Sequence, residues 1–180
     1  PDEALAEFLR AVQINPKPAI FHIDLALALY DKGLIDAAVA HCQKALERHP
    51  QVARAYSILG LCYLAKGQAE EAVAQCKKAL EINPKMALVH NNLAWVYATT
   101  SDPRFYNPQE AIRLARKAIE ISPRPPRFYN TLAESYFQDG QYGLALETIE
   151  KALQRDPANK YFQEQKAKFT QSAKASRPGK

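Results

Sequence analysis

Residues 53–86 read ARAYSILGLCYLAKGQAEEAVAQCKKALEINPKM, and the fold follows from how this stretch is divided. Tyr56, Leu59, Gly60 and Tyr63 recur at steps of three and four, so they share one face of a helix. Gly67 ends that helix. Ala69, Ala72, Val73, Cys76, Ala79 and Leu80 then form a second apolar stripe, which closes at Ile82-Asn83-Pro84. The small residues Gly60, Ala72 and Ala79 fall where two helices must touch, because a side chain larger than a methyl there would hold the axes apart. A hairpin this short cannot bury both its faces alone. It requires neighbours.

The neighbours recur at a fixed period. Proline returns at Pro16, Pro50, Pro84, Pro123 and Pro157, in steps of 34, 34, 39 and 34 residues. The alanine five positions before each proline recurs as Ala11, Ala45, Ala79, Ala118 and Ala152. The alanine twelve before recurs as Ala4, Ala38, Ala72, Ala111 and Ala145. With Tyr56, Leu59, Gly60, Tyr63, Ala72, Ala79 and Pro84 in this register, the chain resembles the tetratricopeptide repeat family over about residues 1–160. The resemblance implies an all-α fold, a right-handed superhelical solenoid of helix–turn–helix repeats.

In that frame, residues 1–18 hold the second helix of a partial repeat, whose apolar face of Leu5, Phe8, Leu9 and Val12 lacks its first-helix partner. Complete repeats are expected over residues 19–52, 53–86, 87–125 and 126–159, with a capping helix over 160–173 and a basic disordered tail over 174–180. Ten helices and no strand follow. The third repeat carries five extra residues between its helices, in the stretch 99–109, and Asn107-Pro108 reads as the restart of a helix. Phe105 and Tyr106 in this insertion are expected to fold back over helix ends, with an exposed recognition tip as the alternative.

Charge and cysteine usage narrow the possible functions. Residues 160–180 hold six basic side chains against one acid, which accounts for the net charge of +5 and leaves the repeats neutral. No aromatic stacking platform accompanies those charges, so no specific nucleic-acid partner is expected. Nothing approaches the roughly 18 consecutive apolar residues of a membrane span, and no secretory signal is visible. The chain opens on Pro1-Asp2-Glu3 without an initiator Met, as expected of a segment of a longer protein. Three cysteines argue against a disulfide framework. Cys42 and Cys76 hold one position in successive repeats, about the 8–10 Å of packed elements apart or more, too far to bridge. All three read as buried small hydrophobes.

Residues that suggest chemistry mostly acquire structural roles in the repeat frame. His22 and His90 share a slot with Tyr56 and Tyr129, where the family places a large ring, and read as packing residues. His49 precedes a closing proline, where an imidazole can meet free helix carbonyls. His41 beside Cys42 suggests a metal, but adjacent helical residues point about 100° apart and no third ligand is suitably spaced. There is no Gly-rich phosphate loop, nucleophile elbow or HExxH. No catalytic residue, metal or cofactor is expected.

The resemblance also implies where ligands go, because in this family the first helix of each hairpin lines the concave groove. Carried over position by position, the groove holds Ile20, Ile23, Asp24, Leu27 and Tyr30, then Arg54, Ser57, Ile58, Leu61 and Leu64. The third repeat offers Leu88, Asn91, Asn92 and Trp95, and the fourth Arg127, Asn130, Thr131, Glu134, Phe137 and Gln138. Asn92 matches an asparagine that bonds an extended peptide backbone in several relatives. Its counterparts Asp24, Ile58 and Thr131 break any asparagine ladder. The expected peptide-binding set is Arg54, Ser57, Leu61, Leu88, Asn91, Asn92, Trp95, Arg127, Asn130, Glu134 and Phe137. The leading function is a protein-interaction scaffold with a peptide or partner helix in the groove. Two alternatives are the repeat segment of a larger enzyme, such as a glycosyltransferase, and a module that self-associates through its N-terminal half repeat.

Overall fold

The structure, a computed structural model, describes residues 19–175. Nine helices and no strand are found among the described residues: α1 (Ala19–Asp31), α2 (Ile35–Arg48), α3 (Ala53–Ala65), α4 (Ala69–Ile82), α5 (Ala87–Thr99), α6 (Pro108–Ile121), α7 (Pro126–Gln138), α8 (Tyr142–Arg155) and α9 (Lys160–Ala175). The tenth expected helix, in the partial repeat of residues 1–18, lies outside the described residues, as do residues 176–180 of the expected tail. The expected end of the capping helix needs correction, since Lys174 and Ala175 still belong to α9. The chain divides into two compact units, Pro1–Val89 and His90–Lys180. In the first, α1 pairs with α2 and α3 with α4; in the second, α7 pairs with α8 and is flanked by α6, while α9 packs on α8.

The turns show why the hairpins share one geometry. Gly33, Gly67 and Gly140 each take positive φ, at 76°, 71° and 76°, a conformation that costs an L side chain steric strain. The next residue then turns its N–H back onto the helix just ended: Leu34 donates to Leu29 O, Gln68 to Tyr63 O and Gln141 to Tyr136 O, at 2.8–2.9 Å. The third hairpin reaches the same result without glycine. Asn107 donates its N–H to Tyr97 O at 2.8 Å, and its side chain accepts from the Glu110 N–H at 3.1 Å. The five extra residues are therefore absorbed before Asn107. Within this loop Phe105 is half-buried, whereas Tyr106 is 44% exposed with its hydroxyl donating to Gln138 O at 3.3 Å.

The alanine register marks the core. Ala38, Ala45, Ala72 and Ala79 in the first unit, and Ala111, Ala118, Ala145 and Ala152 in the second, are all 0% exposed. Each methyl sits at a helix contact with no room to grow. Leu25, Ala26, Cys42, Ala55 and Cys62 complete the first unit's core, while Phe128, Leu132, Ile149 and Phe169 dominate the second. Ile23 and Ile58, expected in the groove, are buried in the first unit's core, which corrects that assignment. The reason is that α1 touches α3 as well as α2, so packing takes up more of its circumference than one helical face.

Candidate functional site

In the first unit, α3 carries three of the expected binding residues. Arg54 is exposed and its guanidinium pairs with Asp24 of α1 at 2.7 Å. Ser57 is buried, and Leu61 is half-buried, as is Leu88 at the start of α5. Around them Ile20 is exposed, and Leu27, Tyr30 and Leu64 are half-buried, so apolar surface remains on these first helices.

In the second unit, polar residues dominate the corresponding positions. Asn91 and Asn92 on α5 are buried at 7% and 4% exposure, and Asn130 on α7 at 5%. The Asn91 Oδ1, the Asn92 Nδ2 and the Asn130 Oδ1 have no hydrogen-bond partner. A buried polar atom left this way costs on the order of 1–3 kcal/mol, so three in one class of position call for a reason. Trp95 is half-buried. Arg127 is exposed, its guanidinium 5.5 Å from the centre of the Phe128 ring. Thr131 cannot replace the missing asparagine, because its hydroxyl donates to Arg127 O at 3.1 Å.

The remaining two expected residues are engaged by the chain's own last helix. Glu134 is 3% exposed and receives Lys168 Nζ of α9 at 3.0 and 3.2 Å and Gln138 Nε2 at 2.7 Å. Phe137 stacks on Phe169 with ring centres 4.8 Å apart, and the Lys168 ammonium lies 4.4 Å from its centre. Burial raises the pKa of Tyr161 above the ordinary phenol value. Lys168 was missed at the sequence level. The signal was present: α9 begins 34 residues after α7, so it stands as the first helix of a further repeat.

Candidate metal and redox residues do not assemble a centre. Among the described residues no three His, Cys, Asp or Glu side chains come together as a ligand set. Instead His41 faces His22 across the first hairpin, Nδ1 to Nδ1 at 2.9 Å. The three thiols are free and buried. No described helix is long and apolar enough to cross a membrane.

Hairpins with one repeated turn, one alanine register and a terminal half repeat define an all-α helical-repeat solenoid. The chain belongs to the tetratricopeptide repeat family of protein-interaction scaffolds: two family models of that description match it, one over residues 1–53 and 23–87 and the other over residues 106–169. A thermophilic TPR protein of Thermus thermophilus, TTC0263, superposes with a TM-score of 0.75 at 25% identity, over 96% of this chain and 90% of that one. YrrB, described as a TPR protein with an unusual peptide-binding site, gives 0.69 at 21% identity, over 94% and 85%. The first TPR domain of human RPAP3 gives 0.63 at 19% identity, over 70% and 95%. No curated protein matches the chain.

Proposed function

We propose that this scaffold takes an extended peptide or a partner helix on the first helices of its hairpins, with binding centred on Asn92, Trp95, Arg127 and Asn130. The observation that carries the reading is the set of buried amide atoms on Asn91, Asn92 and Asn130 that lack partners within the protein. A peptide backbone offers both a donor and an acceptor to such an amide. Trp and Arg are the side chains most enriched at interface hot spots, and here they flank the amides in sequence. The peptide-binding site attributed to YrrB adds a precedent for this class of ligand within the fold. Arg54, Ser57, Leu61 and Leu88 are assigned the same role in the first unit. Glu134 and Phe137 contribute behind them, through their contacts with α9.

The test begins with affinity capture of a partner from the source cell and mapping of its shortest binding segment. Asn92→Ala and Arg127→Ala should each weaken that segment by about 1–3 kcal/mol, the scale of a lost hydrogen bond to a buried or charged group. Thermal stability should barely change. If both variants bind like the parent while substitution of Phe8 or removal of the basic tail abolishes binding, the reading is wrong and the chain works through its ends. Light scattering at rising concentration would then distinguish self-association from capture of another protein.

A further inference from the structure

We propose that a cleft on the second helices of the second unit is a separate docking site for an acidic peptide segment presenting an apolar side chain beside a carboxylate. The cleft opens between α6 and α8, over α7, and has a volume of about 220 Å³. Its lining includes Leu132, Tyr129 and Tyr136, all buried, together with Ile119 and the 41% exposed Leu144. Small-molecule and cofactor sites commonly enclose about 300–1,000 Å³, so this one suits a single peptide side chain better than a cofactor.

Arg116 stands at the edge of the cleft and supplies the charge preference. Its guanidinium donates through Nε and Nη2 to the Tyr136 hydroxyl at 3.0 and 2.5 Å. A phenol orients the guanidinium without neutralising it. Its neighbours on α6 are neutralised, Arg113 by Glu110 at 2.6 Å and Lys117 by Glu120 at 2.9 Å, and across the cleft Lys151 is held by Glu147 at 2.6 Å. Among the described residues Arg116 makes no ion pair, although it is exposed and three of its five N–H groups remain available. Arg155, which donates to the Tyr129 hydroxyl at 2.9 Å, is also without one. An exposed guanidinium fixed in direction beside an apolar slot is a receptor for a carboxylate, which it can grip through two parallel hydrogen bonds.

The same cations would attract phosphates, but the aromatic surfaces here favour a peptide. Single-stranded nucleic acid needs open ring faces on which bases can stack. Tyr136 and Tyr129 are buried, and guanidinium groups already lie over them, Arg116 at 5.6 Å and Arg155 at 3.9 Å from the ring centres. This site shares α7 with the peptide site proposed above, but none of its lining residues belongs to that site. The two readings can fail independently.

The experiment is fluorescence anisotropy on the full chain with a fluorescein-labelled hexapeptide, Glu-Asp-Leu-Phe-Asp-Glu, and a counterpart in which every acid is lysine. The acidic peptide should bind and the lysine peptide should not. Arg116→Gln and the surface substitution Leu144→Glu should each weaken binding at least tenfold, Arg116→Lys should fall between, and Lys117→Gln and Asn92→Ala should leave it unchanged. Thermal melts establish that each variant is folded, and Leu144→Glu decides the matter should Arg116→Gln unfold. The proposal is overturned if the acidic peptide does not bind, if it binds both cleft variants like the parent, or if its loss tracks Asn92→Ala. Displacement of the peptide by an oligothymidylate whose own binding needs Arg116 would assign the cleft to nucleic acid instead.

Discussion

A Cβ built on Gly60 of α3 would lie 2.6 Å from the Sγ of Cys76 on α4, closer than real side-chain contacts allow. The absence of a side chain at Gly60 therefore sets how closely the two helices of this hairpin approach. Gly60→Ala would gain about 1 kcal/mol in helix propensity, while overpacking of a tight core costs about 1–3 kcal/mol. The two effects oppose each other, and the clash should win by an amount measurable in urea unfolding. Cys76→Ala removes the obstructing sulfur, so the double variant should be more stable than the sum of the single changes implies, by about 0.5–3 kcal/mol. Additive effects would mean that the helices already have room to separate.

The same packing should silence all three thiols. Burial pushes Cys42 and Cys76 up to about 12 and Cys62 up to about 11, the last despite the nearby Lys66 ammonium. The thiolate is the reactive form, so a disulfide-exchange reagent should label none of them in the native chain at mildly alkaline pH. All three should react at once in guanidinium chloride. Rapid native labelling of any one would show that its hairpin opens locally.

The repeat register was legible because small residues at helix contacts leave no alternative, and every described alanine of the two series is fully buried. The turn at Gly67 was legible for a similar reason, since positive φ excludes most other residues. Face assignment on the first helices was harder to read. Ile23 and Ile58 were placed in the groove by the family resemblance, but a helix touched from more than one side is apolar over most of its surface, and its own periodicity then no longer identifies an outer face. The engagement of Glu134 and Phe137 by α9 required carrying the repeat frame into a segment that looked merely polar. The facing of His22 and His41, 19 residues apart, depends on how the two helices of a hairpin align. Spacing along one helix cannot show that.

That histidine pair makes stability depend on pH in a defined direction. An Nδ1–Nδ1 separation of 2.9 Å requires one ring to donate and the other to accept, so the contact cannot hold two fully protonated rings. Burial, then His22, then Lys44 hold the His41 imidazole below its ordinary value of 6.5. Below 6.5 the unfolded chain consequently binds more protons than the folded one at this site. The contribution is complete above 6.5 and is lost as pH falls from there through the lowered folded-state value. In urea unfolding at about pH 7.5 and about pH 5, His41→Gln should show a smaller loss of stability on acidification than the parent. An equal loss in both would place the titration elsewhere.

Lys168 and Glu134 make the last prediction, because their burial is unequal. The Glu134 side chain is 4% exposed and that of Lys168 is 43%, at a separation of 3.0 Å. Lys168→Met keeps the methylene stem that can lie against Phe137 but leaves a buried carboxylate with Gln138 as its remaining side-chain donor. Breaking a fully buried pair costs about 3–5 kcal/mol, whereas exposed pairs are worth at most about 1 kcal/mol. Water can reach the ammonium side of this pair, so a loss of about 1–3 kcal/mol is expected in chemical unfolding. Hydrogen exchange in α9 should quicken at the same time, since the pair ties that helix to α7. Adding Glu134→Gln removes the stranded charge and should recover most of the stability. If Lys168→Met is as stable as the parent and α9 exchanges no faster, water hydrates the carboxylate as well as lysine does, and α9 is held by its other contacts, the buried Phe162 and Phe169 and the Lys166–Glu150 ion pair among them.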